Sequence, residues 1–356
     1  MRQPSTCGKI VDFCFKGQKS IFCTMKRYSL CNSRTFDIKN KGNVHEIHSE
    51  PLQKVAGQDT MNTKYRERGE YMEENAYGKI NLGLSVGVRR PDGYHQVDTI
   101  LQSISLADRI TLEPAATFSL SSDNPDLPCD ASNLMVKAAK VFQKVTGQLP
   151  NVHLHVEKKI FMAAGLAGGS ADAAAVLRLL NRYCGTKLSR NQLEQMGAKI
   201  GSDVPFCLYG GIQRGRGRGD ALTQLKNAPD FALVLVKPRQ LSVSTAWAYQ
   251  TMDQLPKRVP SSVDKLEEAL RSGEREQIFS AMRNDLELVT LTAYPEIGKR
   301  KAALLQLGAE FAMMSGSGPT VFGIFPTEEK AVDAARALAK QFAKDQVASV
   351  QMMREG

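Results

Sequence analysis

Lys79 stands in the run KINLGLSVGV, a lysine in a segment that otherwise reads as an apolar strand. A charge there is costly to bury unless a partner or substrate uses it, although an edge strand would also tolerate it. Asp203 stands in KIGSDVPF, after a Gly-Ser that ends one helix and before a Val-Pro that opens another. An aspartate at such a place caps the new helix, or it points a carboxylate into a cleft as a general base that Lys79 holds ionised. Between the two lies FMAAGLAGGSADAAAVLRLLN, which sets glycines directly against an apolar helix. Glycine costs helix stability, so its presence there needs a reason. Without side chains, a ligand can approach the unpaired amides of the first turn, and these with the helix dipole favour an anion, most often a phosphate. A tight strand-to-helix turn without a ligand is the alternative. The stretch fits neither G-x-x-x-x-G-K-[ST] nor G-x-G-x-x-G, so it is a phosphate loop of another kind or none.

Two further stretches carry the same sort of question. The Asp92-Gly93 turn presents Tyr94 and His95 side by side, able to clasp a flat heterocycle or simply to pack the turn. In MMSGSGPTVFGIF, Gly316 and Gly318 alternate with serines between apolar runs: a hairpin by itself, a second close-approach surface beside an anion site.

These residues need elements to position them. GKINLGLSVGV alternates as a strand, and VDTILQSISLADRITL reads as further sheet broken by a turn at Ala107-Asp108. SNLMVKAAKVFQKVTG is a capped amphipathic helix stopping at Gly147, and NVHLHVEKKI is a strand that feeds the glycine loop. In the helix after that loop, Ala173, Val176, Leu177 and Leu180 recur at the spacing of one buried face. LSRNQLEQMGAKIG is a Ser-capped helix, and GGIQRGRGRGDAL, with three arginines, either assists nucleotide binding or is a solvated loop, the loop being the favoured reading. A second block follows from about Asp230: the strand FALVLVKP, helices over 261–272, 275–283 and 296–307, two strands in FAMMSGSGPTVFGIF, and the helix EEKAVDAARALAKQFA. Residues 253–263, with two prolines, form a surface loop. Strands and helices alternate, so the class is α/β (α+β). The boundaries predicted are an extension over 1–71, a first domain over 72–229 and a C-terminal domain over 230–356.

Composition excludes several classes. At 356 residues, 42% hydrophobic and 24% charged, this is an ordinary globular chain of two domains. No apolar run spans a bilayer and no secretory leader opens the chain, so neither membrane nor secretion is expected. Seven cysteines, scattered and without a C-x-x-C pair or zinc spacing, point to a reducing, cytoplasmic setting and no bound protein metal site. Of the net charge of +10, +6 lies in residues 1–71, which leaves no basic stripe for nucleic acid in the body.

The order of these motifs is more specific than any one of them. A lysine strand, DGYH, AGLAGGSADAA, GSDVPF and SGSGP, in that order, resemble the GHMP kinase superfamily of small-molecule kinases. Within it, KINLGLSVGVRRPDGYHQVDTILQSISLADRITL resembles the 4-diphosphocytidyl-2-C-methyl-D-erythritol kinases of the non-mevalonate isoprenoid route. The resemblance covers about residues 72–356. It implies a two-domain fold with the active site in the cleft between domains. It also implies ATP and Mg2+ as cofactors, a cytidyl diphosphate sugar alcohol as substrate, and a monomer or weak homodimer. On the matching positions, Met162, Ala163, Ala164, Gly165, Leu166, Ala167, Gly168, Gly169, Ser170 and Ala171 would form the ATP loop. Lys79 and Asp203 would be the catalytic pair, Asn81 would touch the substrate, and Tyr94, His95 and Tyr249 would hold the cytosine ring. Two positions depart from the family's pattern: Phe161 where a proline is usual and Ala171 where a second serine is usual. Rival readings are another GHMP kinase without a cytosine pocket and a catalytically silent binding protein on the same fold.

Residues 1–71 differ in kind: four of the seven cysteines, little periodicity, seven acids, and more Lys than Arg. That composition fits a misassigned start or a dispensable disordered extension better than an Arg- and Ser-rich, acid-poor transit peptide. A chain beginning at Met72 is therefore expected to retain full activity and stability, checked by assay and thermal melt of the truncated protein.

Overall fold

The computed structural model describes residues 71–226, 229–256 and 260–354. The expectation for the N-terminal extension thus lies outside the described residues. Among the described residues, ten strands run in chain order. They are β1 Met72–Arg89, β2 His95–Pro114, β3 Ser119–Ser122, β4 Val152–Glu157, β5 Ile212–Gly217, β6 Ala221–Gln224, β7 Ala232–Lys237, β8 Phe311–Met314, β9 Val321–Phe325 and β10 Gln346–Gln351. The helices of the first half are α1 Leu134–Thr146, α2 Gly168–Tyr183, α3 Arg190–Ala198 and the single turn α4 Val204–Cys207. Those of the second half are α5 Thr245–Met252, α6 Val263–Ser272, α7 Arg275–Ala281, α8 Glu287–Ala293, α9 Pro295–Gln306 and α10 Glu328–Gln341.

Two sheets organise these elements. In the first, β2 lies along β1 on one side and along β4 and β5 on the other, with β3 beyond β4 and β6 beyond β5. The second is antiparallel, in the order β10-β7-β9-β8. Alternation explains β4, whose Val152, Leu154 and Val156 face inward while His153 and His155 bond Ser119 and Ser121 on the outer side. Helix ends follow their caps. Asn133 accepts from the Met135 amide at the start of α1, and left-handed Gly147 closes it. Ser189 and Gln192 form a reciprocal capping box on α3.

Three sequence expectations need correction. The β2 strand is unbroken through Ala107 and Asp108, which pair with Tyr77 and Ala76. Asp108 is fully buried because its carboxylate accepts from the amides of Lys159 (2.5 Å) and Ile160 (2.8 Å), an anchoring role that its turn propensity hides. The arginine-rich stretch is the β5–β6 hairpin, not a solvated loop: Arg214 is buried and pairs with Asp98, Asp264 and Glu267, tying α6 to the sheet. Helix α2 is buried on nearly all sides from Ala171 to Leu177, because it runs between α1 and β1 rather than over the surface.

Candidate active site

One cleft of about 910 Å³ runs along β1 and β2 and is closed by both glycine stretches. Strand periodicity puts Lys79 and Asn81 on the same face of β1, and the Lys79 ammonium donates to Asn81 Oδ1 at 2.8 Å and to the Gly165 carbonyl at 3.1 Å. Lys79 is only 4% exposed, so these oxygens and a nearby carboxylate replace the water it has lost. That carboxylate is Asp203: Oδ2 lies 4.0 Å from Nζ, and the side chain is 40% exposed in the cleft. Asp203 precedes α4 but makes no capping hydrogen bond, which removes the helix-cap reading and leaves the carboxylate free toward the cleft.

The glycine loop is shaped by close approach. Gly165 has φ +76°, and a Cβ there would stand 2.3 Å from the Ser315 carbonyl oxygen, so only glycine fits between the two loops. The Ser315 hydroxyl donates to the Gly165 carbonyl at 3.0 Å, and Asn284 donates to the carbonyls of Met314 and Gly316, both at 2.8 Å. The serine-glycine turn is therefore the second wall of the cleft. In α2, the first intrahelical bond runs from the Ala171 amide to Ala167 at 2.9 Å. The amides of Gly168, Gly169 and Ser170 precede it and have no intrahelical acceptor, so they and the helix dipole favour an anion at this end of the cleft.

Of the ten loop residues expected, eight line the cleft and two do not. Leu166 points into the core and gives its carbonyl to the Lys79 amide (3.0 Å), while Ala171 is buried with its amide already used. A side chain added at Gly168 would press on Ile160 at 3.1 Å rather than obstruct the cleft directly, so the critical glycine is Gly165.

The ring-binding candidates meet across the two sheets' elements. His95 and Tyr249 have ring centroids 5.0 Å apart at 30°, and His95 Nε2 lies 2.7 Å from Asp253 Oδ1. Burial pushes the Tyr249 phenol up, so it stays neutral. Tyr94 is 55% exposed at the rim, with the Arg218 guanidinium 5.3 Å over its ring.

Sequence reasoning missed Asn284, Asp253 and a buried charge cluster under the loop. Lys158 donates to Asp108 and to Asp172 (2.6 Å), joining β2, the end of β4 and α2 behind the glycines. A charged residue amid the alanines of ADAAA was the one available signal. Burial pushes the Asp172 carboxyl up to about 7, helped by the Asp108 charge and opposed by the Lys158 ammonium. A folded value above the ordinary 3.8 means that protonation favours the fold below pH 4 and that this contribution is lost as pH rises through about 7. Asp172→Asn, which imitates the protonated form, should flatten the fall in stability between pH 5 and 8. Relative to the parent it should gain at pH 8. Denaturant unfolding at both pH values checks this; an unchanged pH slope contradicts it.

Among the described residues, no cluster of three or more His, Cys, Asp or Glu could hold a metal ion, and no helix is long and apolar enough to cross a membrane.

The family description "GHMP kinases N terminal domain" matches residues 133–211, and "GHMP kinases C terminal" matches residues 266–344. A Synechococcus sp. (strain JA-2-3B'a(2-13)) protein named 4-diphosphocytidyl-2-C-methyl-D-erythritol kinase is 45% identical over 277 residues, covering 75% of this chain and 89% of the relative. A Moorella thermoacetica protein of the same name is 46% identical over 260 residues, covering 72% and 90%. A crystal structure of 4-(cytidine 5'-diphospho)-2C-methyl-D-erythritol kinase superposes with a TM-score of 0.66 at 33% identity, over 79% of this chain and 99% of that one. L. major mevalonate kinase, at 14% identity and a TM-score of 0.61, shares the fold.

Proposed function

The chain belongs to the GHMP kinases, in the family of 4-diphosphocytidyl-2-C-methyl-D-erythritol kinases, and from that premise we propose how its cleft performs the reaction. It is an ATP-dependent kinase that phosphorylates the 2-hydroxyl of 4-diphosphocytidyl-2-C-methyl-D-erythritol in the non-mevalonate route to isoprenoid precursors. One observation carries the residue assignment: a single cleft joins three amides at a helix start, the Lys79–Asp203 pair and the His95–Tyr249 rings.

The triphosphate lies on the amides of Gly168, Gly169 and Ser170. Leu127, Leu134, Ile160 and Phe161 give the adjoining apolar wall against which a purine is buried. Asp203 takes the proton from the 2-hydroxyl, and the oxygen bonds to the γ-phosphorus as the bond to the β-bridging oxygen breaks, its electrons leaving with ADP. Lys79 neutralises charge between Asp203 and the phosphoryl group, held in place by Asn81 and the Gly165 carbonyl. Such transfer needs mainly positioning and electrostatics. A Mg2+ ion bound with the nucleotide would have Asp203, the partly exposed carboxylate in the cleft, as its protein-side partner. When bound, that ion would offset phosphate charge.

We read the two sheets as two domains, 72–229 and 230–356, with the cleft between them; the separate family matches in each half support this. The described cysteines, Cys129, Cys184 and Cys207, are free thiols, which supports a cytoplasmic location.

The pocket assignment is tested by competition and substitution. Cytidine diphosphate should compete with the cytidyl substrate and not with ATP. Tyr249→Ala should raise the KM for that substrate about 5- to 100-fold, the range of a lost base–aromatic stack. An equal rise in the KM for ATP would show that the rings serve another ligand.

A further inference from the structure

His95 is buried, and its position at the first residue of β2, opposite Arg89, fixes it at the cleft wall. Helix α5 brings two groups to it. Tyr249 lays its ring alongside, and one turn later Asp253, whose amide closes the helix on the Tyr249 carbonyl at 3.2 Å, sets Oδ1 2.7 Å from Nε2. An ionised carboxylate only accepts hydrogen bonds, so Nε2 must carry the proton in this contact. In a neutral imidazole the other nitrogen is then a bare acceptor. Among the described residues, no hydrogen bond uses Nδ1.

We propose that Asp253 is a specificity-determining positioning residue: it holds His95 in the Nε2–H tautomer, so that Nδ1 accepts from the exocyclic amine of cytosine and the cleft rejects uracil. This rests on the reading that the His95–Tyr249 rings hold the substrate's pyrimidine. The two pyrimidines differ at position 4, where cytosine carries an amine donor and uracil a carbonyl acceptor. Against a bare Nδ1 the amine forms a hydrogen bond. The carbonyl would set two acceptors against each other at a buried histidine, with both left unsatisfied. Asp253 acts through the imidazole: it decides which way the histidine presents its proton.

The test pairs a spectroscopic and a kinetic measurement. In the unaltered protein at pH 8, the 15N shifts of His95 should show a protonated Nε2 and an unprotonated Nδ1; the reverse tautomer overturns the proposal. The parent should prefer the cytidyl over the corresponding uridyl substrate in kcat/KM by at least tenfold. Asp253→Ala and Asp253→Asn should each cut that ratio at least tenfold, mostly through KM for the cytidyl substrate, with the KM for ATP as the internal control. A ratio unchanged in both folded variants overturns the proposal while leaving the pocket assignment standing. A parent that uses neither substrate removes the pocket assignment and the proposal together.

Discussion

Asp203→Asn is expected to lower turnover by about two to four orders of magnitude, the usual contribution of a positioned base, while changing ATP affinity by less than about threefold. The carboxylate lies 4.0 Å from the Lys79 ammonium and is part of the cleft wall, and it makes no hydrogen bond to the amides of α4. The asparagine keeps the shape and cannot take the proton. Because no helix cap is lost, thermal stability should stay near that of the parent, which separates loss of chemistry from loss of fold. Near-normal turnover in a folded Asp203→Asn protein would make the aspartate a bystander.

Lys79 carries the second large expectation. Lys79→Ala should reduce turnover about 100-fold or more, by analogy with the loss of one preorganised electrostatic contact, and Lys79→Arg should not restore it. The ammonium is seated between Asn81 Oδ1 and the Gly165 carbonyl, and the Gly316 backbone closes over it: even a Cβ on Gly316 would come within 3.5 Å of Nζ. A planar guanidinium is wider and directs its hydrogens differently. Steady-state kinetics of both variants, with ATP affinity measured separately, checks this. Recovery of most of the turnover in Lys79→Arg would mean that charge alone suffices and that the seat does not matter.

Lys79 was legible because a lysine in an apolar strand breaks a local rule, whereas Asp203 before Val-Pro also read as an ordinary helix cap. What they share is a place in the fold rather than a place in the chain; their pairing was one of two readings of Asp203, and the family's motif order favoured it. Strands β1 and β4 and the capped helices were readable from alternation and caps. Asp108 was misread because its turn propensity masks a buried anchor for the Lys159 and Ile160 amides. Helix α5 escaped notice since TAWAYQTM is short and only Ala248 and Met252 are buried. Asp253 gave no local signal at all: it meets His95 from 158 residues away, through a helix that was not recognised. Asn284 was hidden likewise, as its bonds to Met314 and Gly316 exist only once the second sheet is formed. Local chemistry survives in sequence; partnerships across elements do not.

The account's central claim is the reaction itself, and product analysis tests it most directly. With 4-diphosphocytidyl-2-C-methyl-D-erythritol, ATP and Mg2+, mass spectrometry should show one added phosphoryl group per substrate and one ADP per product. Phosphorus NMR should place the new phosphomonoester on the 2-hydroxyl. ATP consumption without a heavier cytidyl product, or a phosphoryl group on any other hydroxyl, would contradict it.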